Sequence, residues 1–195
     1  LFNELARNRR SVFPDQFDPG KKIEDKIIRE IITNATWAPD HGRSEPWRFS
    51  VFTGEGLKKL ADFQSELYKQ EARENFKEAT YIKLQRQPLK ASHIISIGMK
   101  RTTTKNIPET EDIAAVACAV QNIYLSVTAY GLGGYWTTGG VTYIEKAKSF
   151  FEDQRRQWTG IRSIDAEFKL KAVVLDSKTG ESQPMNRLTG HLKAM

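Results

Sequence analysis

The chain has 195 residues, of which 39% are hydrophobic and 28% charged, a balance that excludes an intrinsically disordered protein and suits one domain. Its formal charge of +6 favours anionic partners without naming them. The one cysteine, Cys118, excludes disulfide bonds within the chain and a multi-cysteine zinc site, and it favours a reducing compartment.

The first part of the chain is predicted to hold two helices and a strand. Phe2–Arg9 is predicted to form a short helix, and Ser11–Gly20, which contains two prolines, an extended loop. Isoleucines at helical spacing predict a second helix over Lys22–Trp37, closed by Pro39. Apolar and polar residues alternate over Trp47–Thr53, which predicts a strand.

The middle of the chain is predicted to hold two further helices and a strand. The spacing of leucines and phenylalanines predicts a helix over Leu57–Phe76, whereas Tyr81–Ala91 is charged and carries no structural prediction. His93–Met99 has the composition of a buried strand. Glu109–Tyr130 is the strongest predicted helix, with acidic residues in its first turn and Gly131 at its end.

The last part of the chain is predicted to hold two strands and a helix. The predicted strands are Tyr135–Thr138 and Phe168–Leu175, and the predicted helix is Ile144–Phe151. A turn is predicted at Gly139-Gly140, and an irregular tail over Ser177–Met195. Four strands and at least four helices predict a sheet covered by helices, in an α/β or an α+β domain.

The composition of the most apolar predicted helix supports further predictions. Gln121 and Asn122 interrupt the apolar run Ile113–Leu132, so we interpret it as a buried helix and not as a membrane span. Cys118 on this helix is predicted to be a buried, inert thiol. Because the helix is apolar on nearly every face, some of its cover is expected to come from a second copy of the chain.

Several kinds of catalytic site are not encoded. The sequence has no Walker-type phosphate loop, no glycine fingerprint after a strand and no G-x-S-x-G motif. The histidines His41, His93 and His191 are far apart and lack the spacing of metal ligands. A side-chain nucleophile or a protein-held metal is therefore not predicted.

A basic cluster near the start of the chain could bind an anion. Arg7-Asn8-Arg9-Arg10-Ser11 combines guanidinium groups, which match phosphate oxygens bidentately, with a hydroxyl that can donate one more hydrogen bond. The alternative is that these residues form the solvated face of a helix.

Two further segments could contact a planar ligand. The loop Trp37–Trp47 holds two tryptophans, His41 and Ser44, which could stack on a ring and hydrogen-bond its edge. The alternative is a helix-to-strand connection with the tryptophans in the core. Gly131–Gly140 would allow a ligand to approach the backbone closely, or would simply end a helix. Together with the basic cluster, these segments suggest a ligand that carries a phosphate and a planar polar ring.

Across almost its whole length, the sequence resembles the nitroreductase family of flavin-dependent oxidoreductases, in the smaller branch of that family. The order and spacing of three segments carry the resemblance. These segments are Arg9-Arg10-Ser11, Ala38-Pro39-Asp40-His41 with Ser44-Glu45-Pro46-Trp47-Arg48-Phe49, and Gly131-Leu132-Gly133-Gly134-Tyr135-Trp136 with Thr137-Thr138-Gly139. The resemblance implies a single α+β domain over residues 1–195, with helices around a central, mostly antiparallel sheet, in an intertwined homodimer that binds FMN at its interface.

The resemblance also implies the residues of the FMN site. Arg9, Arg10 and Ser11 match the segment that binds the FMN phosphate, ribityl chain and pyrimidine side. Trp37 and His41 match positions that reach FMN from the partner chain, with Ser44 nearby. The loop beside the isoalloxazine ring is matched by Trp136, Thr137 and Thr138. Arg187 loosely matches a C-terminal basic residue that binds phosphate.

The implied activity is hydride transfer from NAD(P)H, through the bound flavin, to a nitroaromatic or quinone acceptor in the cytoplasm, with no nucleic acid or membrane as a partner. Alternatives are a flavin-family dehalogenase, a flavin-fragmenting enzyme, or a flavin- or nucleotide-binding protein without turnover. Three positions depart from the family pattern: Trp37 and Thr137 replace an arginine of some relatives, and Glu45 replaces a common glutamine. These departures are expected to bear on nicotinamide preference and substrate charge.

Overall fold

The computed structural model describes residues 2–18, 20–101, 106–138, 141–154 and 171–177, and for 152–154 and 171–177 it describes the backbone. The helices in these ranges are α1 (Phe2–Asn8), α2 (Asp25–Ala35), α3 (Glu55–Ala72), α4 (Glu78–Arg86), α5 (Glu109–Ala129) and α6 (Ala147–Gln154). The strands are β1 (Trp47–Thr53), β2 (His93–Met99), β3 (Leu132–Thr137) and β4 (Lys171–Ser177).

The four strands form one antiparallel sheet in the order β1-β2-β4-β3. Trp47 pairs with Met99 at one end of the β1–β2 ladder, and Thr53 pairs with His93 at the other. The predicted fold class, α+β with a mostly antiparallel central sheet, is confirmed. The bounds of β1 and β2 are those that the apolar alternation and the buried-strand composition predicted.

Helices cover both faces of the sheet, because the strands bury side chains on both sides. Phe49 and Ile97 point into a cluster with α2 and α5. Phe52 and Ile94 point into a second cluster with α3 and α6. Each cluster removes a continuous apolar surface from water, which is the main contribution to the stability of such a layered fold.

Helix α5 lies at the centre of the first cluster. It is long and apolar enough to cross a membrane by length and composition, but half of that stretch is buried within the chain. Ala119, Val120 and Ile123 are completely buried against α2 and the sheet. This arrangement is typical of a core helix, as the polar residues in its middle predicted.

Two predicted helices are shorter in the structure than in the sequence pattern. Helix α2 begins at Asp25 and not at Lys22, because the backbone of Glu24 is extended, with φ of −67° and ψ of 137°. The Ile23 amide before it donates to Ser92 Oγ at 2.8 Å. Helix α3 ends at Ala72 and not at Phe76, where Arg73 adopts a positive φ of 44° that an α-helix does not permit.

The charged segment Tyr81–Ala91 lies in helix α4 and in a following 3-10 turn over Gln87–Lys90. No structure was predicted for this segment from the sequence. Contacts with α3 stabilise it: Gln64 Nε2 donates to the Leu84 carbonyl at 2.6 Å. Contacts with another helix stabilise α4, so the helix could not be predicted from the local sequence pattern of Tyr81–Ala91 alone.

The C-terminal elements also shift relative to their predictions. Strand β3 begins at Leu132 and not at Tyr135, so that two glycines lie inside the strand, and α6 begins at Ala147 and not at Ile144. Strand β4 continues to Ser177. The predicted turn at Gly139-Gly140, the start of the predicted strand at 168–170 and the tail beyond Ser177 lie outside the described residues.

His93, at the start of β2, is expected to make stability depend on pH. Its ring is 2% exposed, with Nδ1 2.9 Å from Ser92 Oγ and Nε2 3.4 Å from the Asp25 carboxylate. Burial lowers the pKa of this imidazole, and the Asp25 hydrogen bond only partly offsets burial. The unfolded chain, with a histidine pKa of about 6.5, therefore takes up the proton more readily than the folded chain.

The free energy of unfolding should consequently fall as the pH drops below about 6.5. In the variant His93→Gln this part of the pH dependence should be absent. Thermal unfolding of both proteins at about pH 7.5 and about pH 5.5 measures the difference. An equal loss of stability in the two proteins would show that His93 does not titrate as its burial implies.

Candidate flavin site

The structure brings two of the three predicted segments together. The Val12 amide donates to the Gly134 carbonyl at 2.9 Å, so the chain that follows the basic cluster runs along the open edge of β3. The Phe13 and Tyr135 rings continue this contact, with 5.5 Å between their centroids. The backbone that directly follows the basic cluster therefore lies next to the strand that carries the glycines.

The two predicted arginines of the basic cluster are held differently. Arg9 is half-buried, and its guanidinium carbon lies 5.1 Å from the centroid of the Tyr124 ring on α5. Arg10 is exposed, and its Nη1 donates to the carbonyls of Arg7 and Arg9 at 2.5 and 2.9 Å. Ser11, the next residue, is exposed.

The end of β3 supplies an aromatic ring and two hydroxyls. Trp136 is 36% exposed, Thr137 is half-buried and Thr138 is exposed. Thr137 pairs with Ala172, so this end of β3 is fixed by the neighbouring strand. Burial raises the pKa of Tyr135, which precedes them, and a hydrogen bond with Thr137 acts in the opposite direction. Tyr135 therefore stays neutral around pH 7.

The two tryptophans of the second predicted segment have different environments. Trp47 is 6% exposed and packs in the core with α2 and α5. Trp37, just beyond the end of α2, is 82% exposed. Of the two interpretations left open by the sequence, the core interpretation holds for Trp47. Trp37 alone remains available to contact a ligand or another chain.

His41 and Ser44 lie in a tight turn that Asp40 stabilises. The Asp40 carboxylate accepts the Glu45 amide at 2.8 Å and the Ser44 hydroxyl at 3.4 Å. Arg43 and Glu45 have positive φ values of 55° and 42°, a strained conformation for residues other than glycine. His41 Nδ1 is hydrogen-bonded to the Glu111 carboxylate in the first turn of α5.

The two groups of predicted site residues are far apart within one chain. His41 contacts the start of α5 at Glu111, whereas Arg9 contacts the same helix at Tyr124. From Glu111 to Tyr124 the helix rises by about 20 Å. One chain therefore does not bring His41 and Arg9 to the same small ligand group, and a ligand that touches both must lie between two chains or span this distance.

The predicted environment of Cys118 is wrong, because its thiol is exposed. It lies on an outward face of α5 that is formed mainly by small and apolar side chains. This exposed face of α5 consists of Ile113, Ala114, Ala117, Cys118 and Gln121. A continuous apolar strip on an otherwise buried helix is typical of a surface that another chain covers.

Three residues of this site were not predicted from the sequence. Tyr124 orients Arg9, Asp40 stabilises the turn around Ser44, and Glu111 binds His41. Asp40 carried a signal, since a short carboxylate before a glycine-containing turn commonly accepts backbone amides. The other two contacts join residues far apart in sequence. Arg187 lies outside the described residues, and its predicted role stays a prediction.

Comparison with models of protein families shows which family the chain belongs to. The model of the nitroreductase family matches residues 6–161, which include nearly all of the segments described above. The chain belongs to the nitroreductase family. The resemblance predicted from the three sequence segments is thereby confirmed.

Individual family members support this assignment. The Escherichia coli K12 protein named "Putative NAD(P)H nitroreductase YdjA" is 28% identical over 141 residues, which are 71% of this chain and 73% of that protein. Among solved structures, a nitroreductase-like family protein from Bacillus cereus has a TM-score of 0.69 at 24% identity and covers 100% of this chain and 96% of its own.

A third relative is known with a nicotinamide bound. The FMN-dependent nitroreductase NfnB from Mycobacterium smegmatis, solved in complex with NADPH, has a TM-score of 0.62 at 16% identity and covers 91% of this chain and 87% of its own. At these identities both structural likenesses establish the nitroreductase fold.

Proposed function

We propose that the chain is an FMN-dependent oxidoreductase that takes hydride from NAD(P)H and reduces nitroaromatic or quinone acceptors. The observation that carries this proposal is the contact of the Arg9–Ser11 segment with β3, made through the Val12–Gly134 hydrogen bond. It joins the backbone after the basic cluster to the strand that carries Trp136, and a ligand with a phosphate and a planar ring needs cationic donors and an aromatic face close together. Family membership and the names of the relatives support the same cofactor and reductant.

The donor set of this region fits FMN. Arg9 offers a guanidinium that the Tyr124 ring contacts by its face, and Ser11 offers an exposed hydroxyl. Arg10 would join them once its side chain leaves the carbonyls of Arg7 and Arg9. FMN, when bound, supplies the hydride chemistry, so the residues of the chain are needed to bind and orient it and to shield it from water.

The proposed active unit is a homodimer of single-domain chains. His41 and Arg9 contact α5 at points about 20 Å apart, and a second chain could present Trp37 and His41 to the flavin from the other side. The exposed face of α5 and the 82% exposed Trp37 are the surfaces that such a dimer would bury. A reducing cytoplasm would keep the single Cys118 a free thiol.

Flavin absorbance tests the proposed reaction. Protein loaded with FMN under anaerobic conditions should lose its yellow colour on addition of NADPH or NADH, and should regain it when a nitroaromatic or a quinone is added. Protein that binds FMN but is not bleached by either nicotinamide would be a flavin-binding protein without this turnover. Bleaching followed by no reoxidation with either acceptor class would exclude both proposed substrates.

A further inference from the structure

Arg9 is held in a way that leaves its hydrogen-bond donors unused by the described part of the chain. Among the residues that the structure describes, no hydrogen bond or ion pair of its guanidinium is found, and the contact recorded for this group is the face of the Tyr124 ring, 5.1 Å away. A guanidinium that stacks on an aromatic face is attracted by the ring's charge distribution while its N–H groups point outward in the plane. Contact with the ring therefore restrains the cation without consuming any of its five donors.

Arg10, the adjacent arginine, shows the contrast. Its Nη1 donates to two backbone carbonyls, those of Arg7 and Arg9, so part of its donor capacity is spent within the chain. A ligand that binds Arg10 must first replace those bonds. A ligand that binds Arg9 has no such bond in the described chain to break.

Tyr124 is itself a rigid support. Its side chain is 6% exposed, and its neighbours on α5, Ile123 and Val127, are 0% and 2% exposed. The helix that carries it is packed against α2 and the sheet, so the position of the ring is fixed before any ligand arrives. Pre-organisation of this kind increases affinity because less conformational freedom is lost on binding.

We infer that Tyr124 is a positioning residue for FMN: its ring holds the Arg9 guanidinium in place, with its donors bonded to no residue that the structure describes, for an anionic or carbonyl group of the flavin. The inference rests on the proposed function, because it assumes that Arg9 binds FMN. It assigns Tyr124 a role through Arg9 and no contact with the flavin. Loss of the ring should weaken FMN binding, whereas loss of the hydroxyl alone should not.

The test is a set of FMN dissociation constants, measured by quenching of flavin fluorescence in the full-length protein. Tyr124→Leu is expected to raise the Kd by about 5- to 30-fold, and Tyr124→Phe, which keeps the aromatic face, by less than about twofold. Tyr130→Leu is the control. Tyr130 is the C-terminal cap residue of the same helix, α5, and its hydroxyl donates to the Glu30 carboxylate. The control substitution should change the Kd by less than about twofold.

A double-mutant cycle separates positioning from a general loss of structure. In an Arg9→Ala background, Tyr124→Leu should change the FMN Kd by less than about twofold, because the cation that it positions is gone. If Tyr124→Leu does not fold, Tyr124→Met replaces it, since methionine is apolar, flexible and well tolerated in cores. Thermal unfolding of each variant confirms that it is folded at the temperature of the titration.

The outcomes distinguish the two claims. Wild-type protein that does not bind FMN would overturn the proposed function and this inference together. Wild-type protein that binds FMN, with an unchanged Kd in Tyr124→Leu, would overturn the inference alone. The positioning role would also be overturned if Tyr124→Leu and Tyr124→Phe weakened FMN binding equally. It would be overturned too if Tyr124→Leu weakened FMN binding equally with and without Arg9.

Discussion

Replacement of Arg101 by alanine should lower the free energy of unfolding by about 3–5 kcal/mol, the usual cost of removing one partner of a buried ion pair. Arg101 Nη1 donates to the Asp112 carboxylate at 2.7 Å, and Nη2 donates to the Ile107 carbonyl at 3.2 Å. The Asp112 side chain is 0% exposed. Without the guanidinium, a buried carboxylate loses the cation that offsets its desolvation.

Lys90→Ala is the matched control for Arg101→Ala. Lys90 and Asp15 also form an ion pair, at 2.6 Å, but their side chains are 50% and 86% exposed. Exposed pairs contribute little, so Lys90→Ala should lower the stability much less than Arg101→Ala does. Urea-induced unfolding measures both variants. Similar losses of unfolding free energy in the two variants would show that burial of Asp112 does not make the Arg101–Asp112 ion pair more stabilising than an exposed pair.

Introduction of a charge on the exposed face of α5 should abolish the proposed dimer. Ala117→Arg places a guanidinium in the centre of that face, where a partner would leave it buried and unpaired. The dimer dissociation constant is expected to rise by at least about 100-fold. Because arginine has nearly the helix propensity of alanine, the chain itself should stay folded. FMN binding should weaken together with dimerisation, since Trp37 and His41 would no longer reach the partner's flavin.

Ala79→Arg tests whether the effect belongs to that face. Ala79 is an exposed alanine on α4, far from the apolar strip on α5. The same substitution there should leave the mass in solution and the FMN affinity unchanged. Light scattering gives the mass of each variant. If Ala117→Arg remains a dimer that binds FMN normally, the exposed face of α5 is not the interface.

The sequence predicted the sheet well, because the strands have simple patterns. The alternation over Trp47–Thr53 and the isoleucines of His93–Met99 identified β1 and β2 to the residue. Strand β3 was predicted too short, since Gly133 and Gly134 carry no side chain to alternate. Their strand conformation is set by pairing with β4 and with Val12, contacts that no local pattern encodes.

The environment of individual side chains was harder to predict. Helix α5 is so uniformly apolar that its sequence does not indicate which face is buried, and Cys118 was placed inside when it lies outside. Trp37 and Trp47 belong to the same loop in sequence, yet only the second enters the core. The difference follows from the end of α2 and the start of β1, which fix the two positions in space.

The candidate site was predictable as a set of residue types but not as a geometry. Guanidinium groups, a hydroxyl and an exposed tryptophan indicated a ligand with a phosphate and a ring. That Arg9 rests on Tyr124, and that His41 binds Glu111 at the other part of the same helix, depends on contacts between distant residues. The separation of these contacts along α5 supports the hypothesis, implied by the resemblance, that two chains form the site.

Sedimentation velocity of FMN-loaded protein, recorded at the visible absorption band of the flavin, tests that hypothesis most directly. We expect a yellow boundary that moves with twice the mass of the chain and carries one flavin for each chain. A flavin that stays behind while the protein sediments, or one that moves with a monomer, would contradict it.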